Sequence, residues 1–267
     1  MQFTERRGVS LVGLLVTLLC ILVLAAILIT AIDKATIGQD SSVKGTVDSV
    51  SDQMTFNAMY QSMFACTMSN NGRYLVPSEV VGDRDVSRDT TANFYSAMIA
   101  QNYFRPKQLI SANEYSPNVR VDDDYNPRAY SPVSGVYWDE NFAADLDNLS
   151  NVSFAHMPLY GDRFKRFWKA QSPANVVILG NRGPKDGIDD PDSYSYGRNG
   201  VWGGSVIFGD GHIEFLNVFT PPDAYYQSGS EMRPDNIFAV DDGIDGIDSV
   251  LSFTKKMTRE GPELQYD

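Results

Sequence analysis

"GSVIFGDGHIEFLNV", residues 204–218, sets two apolar runs on either side of Gly209-Asp210-Gly211. An Asp-Gly pair between hydrophobic runs is a strong hairpin signal, because both turn residues must accept positive φ. The stretch reads as two antiparallel strands. Alternation in the second arm predicts Ile213 and Phe215 inside, with His212 and Glu214 outward. Upstream, "NVVIL" at 175–179 is a short apolar run between Pro173 and Gly180 that suits a buried strand.

Toward the N-terminus the pattern becomes helical. Between about 113 and 170 the chain is turn-rich, with Pro117, Pro127, Pro132, Pro158 and the run Asp122-Asp123-Asp124, and no strand is assigned there. Residues 93–112, "NFYSAMIAQNYFRPKQLISA", suit one short helix ended near Arg105-Pro106. Val43, Val47, Val50 and Met54 fall at spacings of four, three and four, which predicts an apolar stripe on a helix. Gly38 and Gly45 let that helix bend. Met59, Met63 and Phe64 carry it toward a stop at Asn70-Asn71-Gly72, where Asn and Gly suit a left-handed cap, and Pro77 is read as barring a restart nearby.

The opening stretch "RRGVSLVGLLVTLLCILVLAAILITAI", residues 6–32, includes 25 uncharged residues from Gly8 to Ile32. A helix of that length reaches about 37 Å, more than the ~30 Å of a bilayer's hydrocarbon core. Arg6 and Arg7 precede it and Asp33 follows, so the positive-inside rule places the N-terminus in the cytoplasm and the body outside. The run exceeds the apolar core of a secretory signal, and Ile29-Thr30-Ala31 is a poor cleavage site, so an anchor that stays is expected. Leu19 before Cys20 speaks against a lipoprotein signal.

A short polar leader with two arginines, then Gly8, then Val9-Ser10-Leu11-Val12-Gly13-Leu14-Leu15-Val16, resembles the prepilin-type signal of type IV pilins and type II secretion pseudopilins. The resemblance implies cleavage after Gly8 by a prepilin peptidase, methylation of Val9, and an apolar helix that stays in the membrane. Two positions depart from the family pattern: Val9 stands where Phe is usual, and Gly13 where an assembly glutamate is usual. Gly13 points to a minor or tip subunit, or a non-assembling relative, rather than a major fibre subunit. Asn71-Gly72-Arg73-Tyr74 with Pro77 resembles the close of the pilin first helix. Ser205 to Ile213, with Asp210, Gly211 and His212 at its turn, resembles the end of the prepilin-associated domain named for a His, nine residues and Asp-Gly. The eponymous His is replaced by Gly200.

The expected fold is α+β and pilin-like: a long N-terminal α-helix, a transmembrane half and an amphipathic half, packed on a C-terminal antiparallel β-sheet. The expected organisation is a leader over 1–8, a transmembrane helix over 9–32, its periplasmic continuation over 33–72 and a globular domain over 73–267. The implied partners are the prepilin peptidase, other pseudopilins and the inner-membrane assembly platform.

Composition limits the remaining chemistry. Glu5 is the only acid and Arg6 and Arg7 the only bases before Asp33, so residues 33–267 carry 20 bases against 33 acids. An acidic body excludes a nucleic-acid partner, which needs a basic surface. Cys20 and Cys66 are the only cysteines, too few for a disulfide framework. With only His156 and His212, a three-histidine metal site cannot form, and neither Gly-x-Ser-x-Gly nor a cysteine signature supports a nucleophile; the chain is not expected to be an enzyme.

One acidic repeat does suggest a ligand. Asp-Gly-Ile-Asp occurs at 186–189, 242–245 and 245–248, placing Asp242, Asp245 and Asp248 every third residue with glycines between. Such a loop could gather oxygen ligands around a hard cation, and acidic loops in some pseudopilins make calcium the implied ion. A solvated acidic turn is the plainer reading. Asp186, Asp189, Asp190 and Asp192 form a second candidate group. The competing functional reading is a surface or periplasmic binding module, for polysaccharide, with Tyr194, Tyr196 and Trp202 as stacking platforms.

Overall fold

The computed structural model describes residues 40–267, and residues 48–267 form one compact unit. Helix α1 (Asp40–Thr67) leads into it. Its inward stripe is Asp52, Phe56, Met59, Met63 and Cys66, whereas Val50 and Met54 are exposed. The sequence stripe is thus corrected: Phe56 turns inward because its ring packs on Phe154, 4.7 Å between centroids, and an aromatic pair adds about 1 kcal/mol to its area burial. Asp52 lies on the same stripe because the Ala112 N–H and the Asn181 amide donate to its carboxylate at 3.0 and 3.1 Å.

The helix stops where the sequence predicts. Asn71 and Gly72 adopt φ 51° and 79°, and the Gly72 N–H closes on the Thr67 carbonyl at 2.9 Å. Pro77 does not bar a restart; it begins helix α2 (Pro77–Val81), where a missing N–H and a fixed φ suit the first turn. Helix α3 (Thr91–Ala100) is capped by the Thr90 hydroxyl, which accepts from the Asn93 N–H, and ends earlier than the 93–112 reading.

Ten strands follow in short pieces. β1 (Ala144–Asp145) pairs with β2 (Leu149–Ser150). β3 (Phe154–His156), β4 (Val177–Asn181), β5 (Gly204–Phe208) and β6 (Ile213–Leu216) form an antiparallel sheet in that order, with α4 (Gly161–Phe167) between β3 and β4. β7 (Tyr225–Ser228) pairs with β8 (Glu231–Pro234), and β9 (Phe253–Thr258) with β10 (Gly261–Gln265). β4 lies two residues beyond the predicted 175–179.

The expected fold class is therefore corrected. Among the described residues no helix is long and apolar enough to cross a membrane, and the long two-part N-terminal helix on one sheet is not the architecture found. The β structure is one four-stranded sheet and three two-stranded ribbons, because turns and prolines interrupt the ladders after a few residues. The predicted leader and transmembrane segment, 1–8 and 9–32, lie outside the described residues, as do Gly8, Val9 and Gly13.

Candidate functional site

The Asp210-Gly211-His212 turn is built as a docking device. Gly211 has φ 94°, and a Cβ there would lie 2.3 Å from the Tyr60 ring of α1. A Cβ on Gly209 would lie 2.5 Å from the Pro173 carbonyl. Only glycine lets the turn sit this close on both sides. The Asp210 carboxylate accepts from the His212 N–H at 3.0 Å and pairs with the imidazole Nδ1 at 2.6 Å. Burial works against its ionisation, but the His212 contacts hold Asp210 below the usual carboxylate range. The His212 ring stacks on Phe208, 4.2 Å between centroids and 8° from parallel. Phe215 is exposed rather than inside, and the buried residue of β6 is Leu216, opposite Gly204. Gly200 sits at φ 65° with open space around its Cβ position.

The loop of Asp242, Asp245 and Asp248 is organised around a cation, and the cation is Arg163. This arginine, fully buried on α4, donates from Nε to the Asp248 carbonyl at 2.9 Å, and from its terminal nitrogens to the carbonyls of Ile244 and Gly243 at 2.5 and 2.8 Å. Arg163 also forms an ion pair with the Asp248 carboxylate. The second Asp248 oxygen accepts from the Asp241 N–H at 2.6 Å. Asp242 caps its own loop through the Ile247 N–H, 3.1 Å, and the Asp245 carbonyl accepts from the Asp162 N–H, 2.8 Å. The structure thus turns Asp248 inward and does not bring the three carboxylates together. Among the described residues no group of three or more His, Cys, Asp or Glu is placed to hold a metal ion.

The second aspartate run also serves turns. Tyr196 donates to Asp189 at 2.6 Å and accepts from the Asp190 N–H at 2.9 Å, and Asp190 in turn accepts from the Asp192 N–H. Asp186 takes φ 58°, and its carbonyl accepts from Asn236. Of the three aromatics expected as platforms, Tyr196 and Trp202 are buried and only Tyr194 is exposed. Trp202 lies against Phe219 and Phe238 and donates to the Arg182 carbonyl at 3.0 Å.

His156 stands in the core beside Met157. Its Nδ1 lies 2.7 Å from the Met157 carbonyl and its Nε2 3.0 Å from the Thr91 hydroxyl. Nδ1 must therefore carry the proton, and Nε2 accepts from Thr91, whose oxygen accepts the Thr254 N–H at 2.7 Å. Burial pushes the imidazole down to about 4, so it is neutral.

Sequence reasoning missed two further arrangements. A cleft of about 930 Å³ opens between α2 and α4, lined by Glu79, Arg84, Asp89, Tyr160, Phe164 and Asp245 among others. At its floor the buried Asp89 accepts from the Ser78 N–H and hydroxyl, both at 2.9 Å, and burial pushes its carboxyl up to about 6. Elsewhere the buried guanidinium of Arg182 pairs with Glu114 and, at 2.8 Å, with Asp267. Neither group has a short sequence signature, because the partners are separated by 11 to 85 residues. Comparison with protein-family models, with curated proteins and with solved structures gave no match.

Proposed function

We propose that the chain is a pilin-like structural subunit, cut between Gly8 and Val9 by a prepilin peptidase and held in the cytoplasmic membrane by residues 9–32. The observation that carries this reading is the junction itself: Arg6-Arg7-Gly8 placed directly before 24 uncharged residues, ahead of an acidic body. The Asp210-Gly211-His212 turn supports it, since Gly211 seats the hairpin on α1 and gives that motif an architectural job. In this reading the N-terminus is cytoplasmic and the acidic domain is periplasmic or extracellular. The partners are sister pseudopilins and the assembly platform, in a type II secretion or pilus-like fibre. Gly13 supplies no carboxylate to meet a neighbour's amine in lipid, which favours a minor or tip position.

Expression in cells with and without a prepilin peptidase tests the proposal. Conversion of a membrane-bound precursor to a shorter membrane-bound form only when the peptidase is present supports it; equal size in both strains overturns it. The second reading, a membrane-anchored binding module, is favoured by the cleft above Asp89 rather than by the aromatics first considered. Glycan-array binding by the full chain, lost in Tyr160→Ala, would support that alternative.

A further inference from the structure

The two edges of the four-stranded sheet are finished differently. At β3, His156 and Ser252 exchange backbone bonds, His156 N–H to Ser252 carbonyl at 3.2 Å and the reverse at 3.3 Å, so that edge is closed. At β6 nothing equivalent occurs among the described residues. The Phe208 N–H donates to the His212 carbonyl at 3.0 Å, and the register continues as Ile207 with Ile213, Val206 with Glu214 and Ser205 with Phe215. Bonded and non-bonded pairs alternate in an antiparallel ladder. The N–H and C=O groups of Ile213 and Phe215 therefore point away from β5. The opposite parity on β5 agrees: Ser205 N–H donates to Asn181 and Gly209 N–H to the Val176 carbonyl, both toward β4. No bond reaches the outward groups of Ile213 or Phe215 among the described residues.

Open edges are ordinarily blunted by charge, proline or a bulge. The exposed strand β8 carries Glu231, Arg233 and Pro234, while β6 has a regular register, Glu214 as its one charge, and the exposed ring of Phe215. We propose that β6 is a docking edge for an extended strand of a partner polypeptide with alternating apolar and basic residues. The apolar side chains would lie beside Ile213 and Phe215, and the basic ones beside Glu214 on the other face. A formal net charge of -12 opposes a second copy of this chain and favours a basic partner. The inference is independent of the prepilin reading.

The probe is a synthetic peptide of alternating valine and lysine, added to the full chain in neutral detergent micelles, with amide exchange read over the 212–217 segment. Expected is an exchange at Ile213 and Phe215 slowed by about ten-fold or more, lost when alternate peptide nitrogens are methylated. In Glu214→Lys the protection should weaken and return with a valine–glutamate peptide. No slowing, equal protection by the methylated peptide, or protection without peptide that grows with protein concentration would each overturn the proposal, the last by assigning the edge to a second copy.

Discussion

Arg163 is the single side chain on which most of the 241–248 loop depends. Its removal in Arg163→Leu leaves the Asp248 carboxylate buried without a counter-charge and the carbonyls of Ile244 and Asp248 without donors. Such losses cost about 3–5 kcal/mol, to be read as a lowered melting temperature. Arg163→Leu with Asp248→Leu should recover part of that loss, since the uncompensated charge is then gone. Nearby Asp235 is buried, accepts from the Ser249 N–H at 2.7 Å through one oxygen, and has its other oxygen unpartnered. Burial pushes its carboxyl up to about 7 from 3.8. The folded state therefore keeps a proton that the unfolded chain has lost, a contribution that is full below pH 3.8 and gone as pH rises through 7. Asp235→Asn should accordingly be more stable than the wild type at about pH 8, by about 1–2 kcal/mol, with the two converging near pH 4. His156 acts in the opposite sense: with an ordinary value of 6.5 and about 4 in the fold, it contributes above pH 6.5 and loses that contribution as pH falls through 4. Denaturant titrations of the wild type and of Asp235→Asn across that range check the two signs.

At the scale of elements, the hairpin was the most legible part of the chain, because Asp-Gly fixes a turn through backbone conformation alone. Which residues of β6 are buried was not legible: Ile213 packs partly on the core and Phe215, on the same face, is exposed, and alternation cannot tell an edge strand from a central one. The end of α1 at Asn71-Gly72 was legible for the same local reason as the hairpin. Its buried stripe was not, since Asp52 and Phe56 turn inward for partners at Ala112, Asn181 and Phe154, 60 to 129 residues away in sequence. The acidic loop was legible as a loop, but its counter-ion sits on another element. Millimolar calcium should therefore leave the melting temperature within about 1 °C, since Asp248 is already engaged; a rise of several degrees would mean that Arg163 yields to the ion. The seat of the hairpin can be tested through its glycine. Gly211→Ala sets a Cβ against Tyr60 at positive φ and should cost about 2–4 kcal/mol. Tyr60→Ala in the same chain should return part of it, a non-additivity expected only of residues in contact.

For the whole molecule, an N-terminal segment with two arginines ahead of a long uncharged run precedes an acidic domain whose Asp210-Gly211-His212 turn packs on α1. Net charge then matters for partners more than for folding. A body with an excess of acids repels its own copies and the phosphates of nucleic acids, and attracts basic surfaces. On the proposed pilin-like reading, that charge suits a heteromeric assembly more than a fibre of identical copies. The most direct measurement is the intact mass and N-terminal sequence of the protein extracted from membranes of a peptidase-bearing host, for the wild type and for Gly8→Val. The account predicts a chain that begins at methylated Val9 in the wild type and an uncut precursor in the variant. A chain that begins at Met1 in both, or near Ile32 in both, would contradict it.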